Sequence, residues 1–181
     1  MEISKTLQNY KYLKYLLFIF LGSILITLSA KIKIPFYPVP MTMQTFVIIM
    51  LGIVFGSKIG TATVFLYLLE GLFGLPVFSN SPERGVGLVY FTGPTMGYLL
   101  GFLVAVFLTG FFTFNNNFFK NFIKLTFSVS FIYILGLIWL GSIIGWDKPV
   151  FELGAQPFLL AELFKILILS ALIPKISKFR G

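Results

Sequence analysis

Cysteine and histidine are both absent from the 181 residues. No disulfide, thiolate nucleophile or imidazole base is therefore available, and the usual zinc ligands are missing too. Charge is also scarce: 11% of the residues are Asp, Glu, Lys or Arg, against roughly 25% in soluble domains. Hydrophobic residues make up 57% and aromatic residues 18%, with 23 phenylalanines. This is the composition of a membrane protein whose elements face lipid or a packed helical core. The net charge is +8, but the basic residues gather at the ends of apolar segments and form no stripe. Membrane topology accounts for them, and nucleic acid is not implied as a partner.

Enzyme chemistry finds no machinery. The chain has no Ser-His or Cys-His constellation, no metal-ligand cluster, no paired carboxylates at helical spacing and no Walker motif. It cannot itself use ATP in the usual manner, and no cofactor or metal is implied. An intramembrane Ser-Lys hydrolase would need Lys165 as base, but no serine shows nucleophile context. The basic N-terminal flank runs into a long apolar stretch with no small-residue cleavage site before Lys31, which does not describe a cleavable signal peptide.

A membrane span needs about 20 apolar residues, with a range of roughly 17 to 25. Six candidate helices follow along the chain: about 12–30, 41–56, 59–73, 94–113, 122–144 and 157–173. The connector 31–40 is rich in proline and cannot continue a helix. Residues 74–93 form a long loop of Gly, Pro and Ser, and 145–156 a third connector, while Ser57-Lys58 and Asn115-Asn-Asn117 are short turns. Pro174 is expected to end the last helix. With both termini cytoplasmic, the inner side holds Lys5, Lys11, Lys14, Lys58, Lys120, Lys124, Lys175, Lys178 and Arg180. The outer side then holds only Lys31, Lys33, Arg84 and Lys148. That split satisfies the positive-inside rule, and it collects the three longer connectors outside, where a binding site should open.

Within the last helix, Glu162 and Lys165 are three residues apart and share one face. A charge near the bilayer centre costs about 3 kcal/mol on insertion scales. Counting from Pro157, the two residues lie about 7 Å and about 12 Å into the helix, in the outer half beneath the longer connectors. A structural ion pair or two outward-snorkelling side chains is one reading. The other is a ligand that needs both an acceptor and a donor, as a cyclic urea does. Gln44, just inside the second helix, suits either a ligand or a bond across helices. Glu70 fits a helix-packing role. The four-residue glycine spacings Gly52-Gly56-Gly60 and Gly93-Gly97-Gly101 fit close helix packing. Asn80 and Arg84 fit a solvated turn on spacing alone.

At Ala30-Lys-Ile-Lys-Ile-Pro-Phe-Tyr-Pro-Val-Pro-Met-Thr-Met-Gln-Thr-Phe46 the sequence resembles the BioY family, the biotin-binding S-components of energy-coupling-factor transporters. The resemblance continues through Phe65-Leu-Tyr-Leu-Leu-Glu-Gly-Leu-Phe-Gly-Leu-Pro-Val-Phe78 and Gly93-Pro-Thr-Met-Gly-Tyr-Leu-Leu-Gly-Phe102. It returns at Ala161-Glu-Leu-Phe-Lys165, in order and over about residues 22 to 173. It implies an all-α membrane protein, a six-transmembrane-helix bundle of the S-component type in a single domain over residues 1–181. Both termini would be cytoplasmic, and the chain would sit as a multi-pass protein of the cell membrane, surrounded by lipid.

By the same resemblance, biotin would be captured from outside, with Glu162 and Lys165 on its ureido ring and Gln44 and Asn80 as polar partners. Tyr98 would line the pocket and Arg84 would receive the valerate carboxylate. The implied protein partners are a transmembrane coupling subunit and an ATPase pair, whose work would reorient the chain and release biotin inside. An S-component for another small vitamin and a ligand-free coupling subunit are the alternative readings. Three positions depart from the family pattern. Glu162 stands where aspartate is usual, and Met96 where glycine is usual. The first helix offers Gly22, Ser23, Thr27 and Ala30 in place of an alanine-based docking face.

Overall fold

The computed structural model describes residues 2–35 and 37–179. Lys5, Lys11 and Arg180, three of the cations assigned above to the inner side, lie outside the residues whose side chains are described. Helix α1 spans Glu2–Lys31, and a two-stranded antiparallel ladder follows, β1 Lys33–Ile34 against β2 Met41–Thr42. Then come α2 Gln44–Leu72, the short α3 Leu88–Phe91, α4 Met96–Phe111, α5 Phe118–Ile144, the short α6 Val150–Gly154 and α7 Gln156–Ile176. Among the described residues four helical stretches are long and apolar enough to cross a membrane: Tyr12–Lys31, α2, α5 and α7. Helix α4 is apolar but shorter. Large side chains such as Leu13, Leu16, Phe20, Phe65 and Phe107 are exposed on the outer faces of these helices, as lipid contact requires.

Helix α2 is not straight. Gly56 has φ 73° and ψ −178°, a backbone state open to glycine and strained for other residues. The chain folds back there into two arms, 44–55 and 57–72. A straight helix would put residues 44 and 67 about 34 Å apart, yet the Gln44 amide reaches the Tyr67 hydroxyl at 2.8 Å. The middle glycine of the first spacing series thus makes the turn, while its neighbours permit close approach. A β-carbon on Gly52 would meet the Val106 carbonyl at 2.9 Å, and one on Gly60 would come within 3.4 Å of the Gly52 Cα.

Helix α4 packs between the α2 hairpin and α5, with Gly97 and Gly101 against the Leu135 and Ile132 backbone of α5. The buried core runs through Ile48, Ile53, Val64, Tyr67, Ala105, Val106, Leu125, Ile132 and Leu169. Helix α1 lies on α2, and α7 touches α5 and α2 more lightly.

Several local expectations are corrected by the structure. The proline connector carries a short β-ladder, and the two longer loops each contain a helical turn. Helix α5 begins at Phe118 because the Asn117 side chain caps it, accepting from the Lys120 N–H at 2.9 Å, a role asparagine fills well. Pro174 does not end α7, which continues to Ile176. Proline removes the one bond back to the Ser170 carbonyl but keeps a helical φ, and the next turn re-forms beyond it, the Ser177 N–H donating to the Ile173 carbonyl.

Candidate functional site

Two buried threonine contacts decide how the charged pair of α7 is held. Glu162 and Lys165 are 5% and 9% exposed, and the ammonium donates to Glu162 Oε1 at 2.6 Å. It also donates to the Thr42 carbonyl at 2.7 Å and to Thr45 Oγ1 at 3.0 Å, so its three protons are committed. The Thr45 hydroxyl in turn donates to Glu162 Oε1 at 2.5 Å. The last residue of β2 and the first turn of α2 thus clamp α7. Glu162 Oε2 takes no hydrogen bond among the described residues. Removing one partner of such a buried pair typically costs about 3–5 kcal/mol, because the other charge is left uncompensated.

The pair lines a cavity of about 60 Å³ bordered by β2, both arms of α2, the long loop, α4, α5 and α7. Gln44 lies on its wall, donating to Tyr67, with its Oε1 accepting from the Thr42 hydroxyl at 3.2 Å. The bond across helices and the cavity position, read above as alternatives for Gln44, coexist. Tyr98 also lines it, and its hydroxyl donates to the Gly154 carbonyl at 2.8 Å. Its ring is seated against α5 where Gly136 has no side chain. Apolar surface comes from Phe78, Leu99, Phe102, Ile132 and Phe158, and Ser79, Tyr90 and Thr95 add polar groups.

Asn80 and Arg84 do not line this cavity. They border a smaller one of about 20 Å³, and Tyr90 and Thr95 form the wall that the two share. The Arg84 guanidinium donates to the Pro38 carbonyl at 2.7 Å and lies 5.3 Å over the Tyr37 ring. Two lysines complete a clasp across the same face. Lys31 Nζ donates to the Phe78 and Ser81 carbonyls at 2.8 and 2.9 Å, and Lys33 Nζ to the Ser79 carbonyl at 2.6 Å and Asn80 Oδ1 at 3.3 Å. The long loop is therefore held to the proline connector by cations on main-chain oxygens.

Sequence reasoning did not single out Thr45, Tyr67 or Tyr133, all of which line the cavity. Thr45 had a usable signal: it sits one residue from Gln44 in a stretch with few other polar groups. Glu70, by contrast, accepts from Ser23 Oγ of α1 at 2.8 Å and is not among the residues that line the cavity.

A helical membrane protein with a cavity lined by apolar and hydroxyl-bearing side chains and by a buried carboxylate–ammonium pair is the class that this fold and site define. The chain belongs to the BioY family, whose profile matches residues 3–181. It is 31% identical over 141 residues to the probable biotin transporter BioY of Pyrococcus horikoshii, covering 78% of this chain and 82% of that one. It is 31% identical over 155 residues to the biotin transporter BioY of Thermotoga maritima, covering 85% and 90%. The fold is similar to the 2.1 Å crystal structure of the S-component for biotin from an ECF-type ABC transporter. That match has a TM-score of 0.78 at 29% identity and covers 96% of this chain and 95% of the other.

Proposed function

We propose that this chain captures biotin as the substrate-binding S-component of an ECF-type transporter and delivers it across the cell membrane. It is a transport subunit and not an enzyme, in keeping with its family. One observation carries the ligand assignment: a carboxylate with an open oxygen and an ammonium, the two charged groups of the lining, stand side by side on a cavity of apolar and neutral polar side chains. A cyclic urea presents N–H donors beside a carbonyl acceptor, so Glu162 Oε2 takes a urea proton. Lys165 turns one of its three protons from Thr42 or Thr45 to the urea oxygen. Apolar walls receive the hydrocarbon and thioether part, with Gln44 and Tyr98 fixing orientation. The carboxylate tail points to the far end, where Asn80 and Arg84 lie behind Tyr90 and Thr95.

The cavity of about 60 Å³ is small beside the roughly 300–1,000 Å³ of ligand pockets. Admission of a bicyclic ligand therefore requires the clasped loop to lift and re-close. In this reading the single domain 1–181 crosses the membrane six times, with the two arms of α2 and the shorter α4 counted as crossings. Both termini are cytoplasmic, and the long loop faces outward. The positive-inside asymmetry of the lysines and arginines supports that orientation. A coupling subunit and an ATPase pair supply the energy that reorients the chain.

The test is equilibrium binding of labelled biotin to the purified protein, with thiamine and riboflavin as competitors. Biotin alone should compete, and Lys165→Ala should bind it weakly. Affinity unchanged in both Lys165→Ala and Glu162→Gln would sink the site assignment. Because Lys165→Ala leaves a buried carboxylate alone, the paired variant Glu162→Gln with Lys165→Met serves as a charge-free control that should fold and not bind.

A further inference from the structure

At the end of the molecule opposite the clasp, we propose a binding site for an anionic phospholipid of the cytoplasmic leaflet. It lies in the groove between the second arm of α2 and α4, and it rests on the reading that the Gly56 turn faces the cytoplasm. The groove has a volume of about 550 Å³. Its chemistry is graded along its length. Ser57 and Lys58 stand at the rim, Thr61 follows one turn deeper, and Phe65 one turn beyond that, facing Leu103 and Phe107 of α4. Positions 58, 61 and 65 recur at helical spacing on one face.

The two ends of the groove match the two ends of a phospholipid: a cation for the phosphate, and aromatic and aliphatic surface for the acyl chain. Lys58 is exposed and has no ion pair or hydrogen bond among the described residues. The Thr61 hydroxyl between them is shut off from solvent and takes no part. Phe65 and Phe107 are about half exposed, at 53% and 49%.

Charge complementarity selects an anionic headgroup. Of the six acidic residues, Glu70, Glu83, Asp147, Glu152 and Glu162 all belong to the opposite half of the proposed topology. Glu2 is the sixth, and its side chain lies outside the described residues. Nothing described near the turn neutralises Lys58. Basic pockets between helices on the cytoplasmic side are suited to anionic lipid.

Native mass spectrometry of the full chain, released from mixed phosphatidylglycerol and phosphatidylcholine micelles, tests the site. One phosphatidylglycerol per chain should be retained in preference to phosphatidylcholine. Lys58→Ala should lower that retention about fivefold, the contribution of one basic side chain against an anionic leaflet. Thr61→Val, which keeps the shape and removes only a buried hydroxyl, and Lys120→Ala, in the first turn of α5, should both leave it unchanged. Biotin binding, undisturbed in all three variants, reports that they are folded.

Equal retention of the two lipids, or unchanged retention in Lys58→Ala, overturns the proposal. Displacement of the lipid by excess glycerol phosphate overturns the lipid assignment in favour of a bare phosphate site. The topology is read separately. The chain has no cysteine, so Ser57→Cys offers a single thiol, which a membrane-impermeant reagent should reach only from the cytoplasmic side. Labelling from outside would remove the leaflet assignment whatever the lipid retention shows.

Discussion

Two carboxylates lie within apolar helices of this chain, and their neighbours differ in kind. Glu70, near the end of the α2 hairpin, accepts from Ser23 of α1 at 2.8 Å, so its role is spent on holding one helix to the next. Glu162 has a threonine and a lysine on one oxygen and none on the other, and it borders a cavity. Both are bonded on one oxygen only among the described residues, but Glu70 has a single neutral donor from an adjacent helix whereas Glu162, the proposed ligand group, has two donors, one of them a cation. Burial already differs, Glu162 being buried and Glu70 half-buried; the number and charge of the partners separate the two further.

The sharpest way to break this comparison is to remove charge at each place and measure labelled biotin at equilibrium. Lys165→Ala and Glu162→Gln should each lower affinity about 100-fold, the upper end for a lost hydrogen bond to a charged group. Glu70→Gln losing as much would erase the distinction. Next in size is Thr45→Val, which keeps the side-chain volume and deletes the hydroxyl that bridges Lys165 and Glu162. An approximately tenfold loss is expected, and no loss would show that the pair needs no third member.

Loosening the clasp with Lys31→Met and Lys33→Met together should speed biotin dissociation by roughly threefold to tenfold, since each lost bond to a charged donor contributes on the order of 1 kcal/mol or more. Stopped-flow release kinetics would read it, and an unchanged rate would separate the loop from the ligand's exit. Smallest of all, Glu70→Gln should leave biotin affinity within about twofold. It should still lower the melting temperature by a few degrees, as about 1 kcal/mol does in a chain of this size. A double-mutant cycle with Ser23→Ala should attribute that loss to the one bond.

How much of this was legible beforehand follows from the chemistry of each residue. The Glu162–Lys165 pair stood out because charges in an apolar run carry an energetic penalty that demands a reason, and three-residue spacing sets them on one face. The membrane class was legible for the same reason, from long runs without charge. Thr45 and Tyr67 were not, because a neutral hydroxyl costs little in a helix and gives no warning of its partner. The turn at Gly56 was hidden inside a regular glycine spacing that reads as packing, and only a backbone angle distinguishes a glycine that turns from one that packs. Arg84 was legible as a basic group near the mouth, but its bond to the Pro38 carbonyl depends on a long-range closure between connector and loop that no local pattern encodes.

The turn at Gly56 also bears on how the chain is made. With a single glycine reversing the direction, no loop separates the two arms, and on the proposed topology their join stays at the cytoplasmic face while Gln44 and Tyr67, near the open end, lie on the outer side. A primary amide that would burden a lone segment is there satisfied by its own hairpin. Biogenesis and binding thus share the same residues: the bond that eases Gln44 into the lipid is the one that later holds it on the cavity wall.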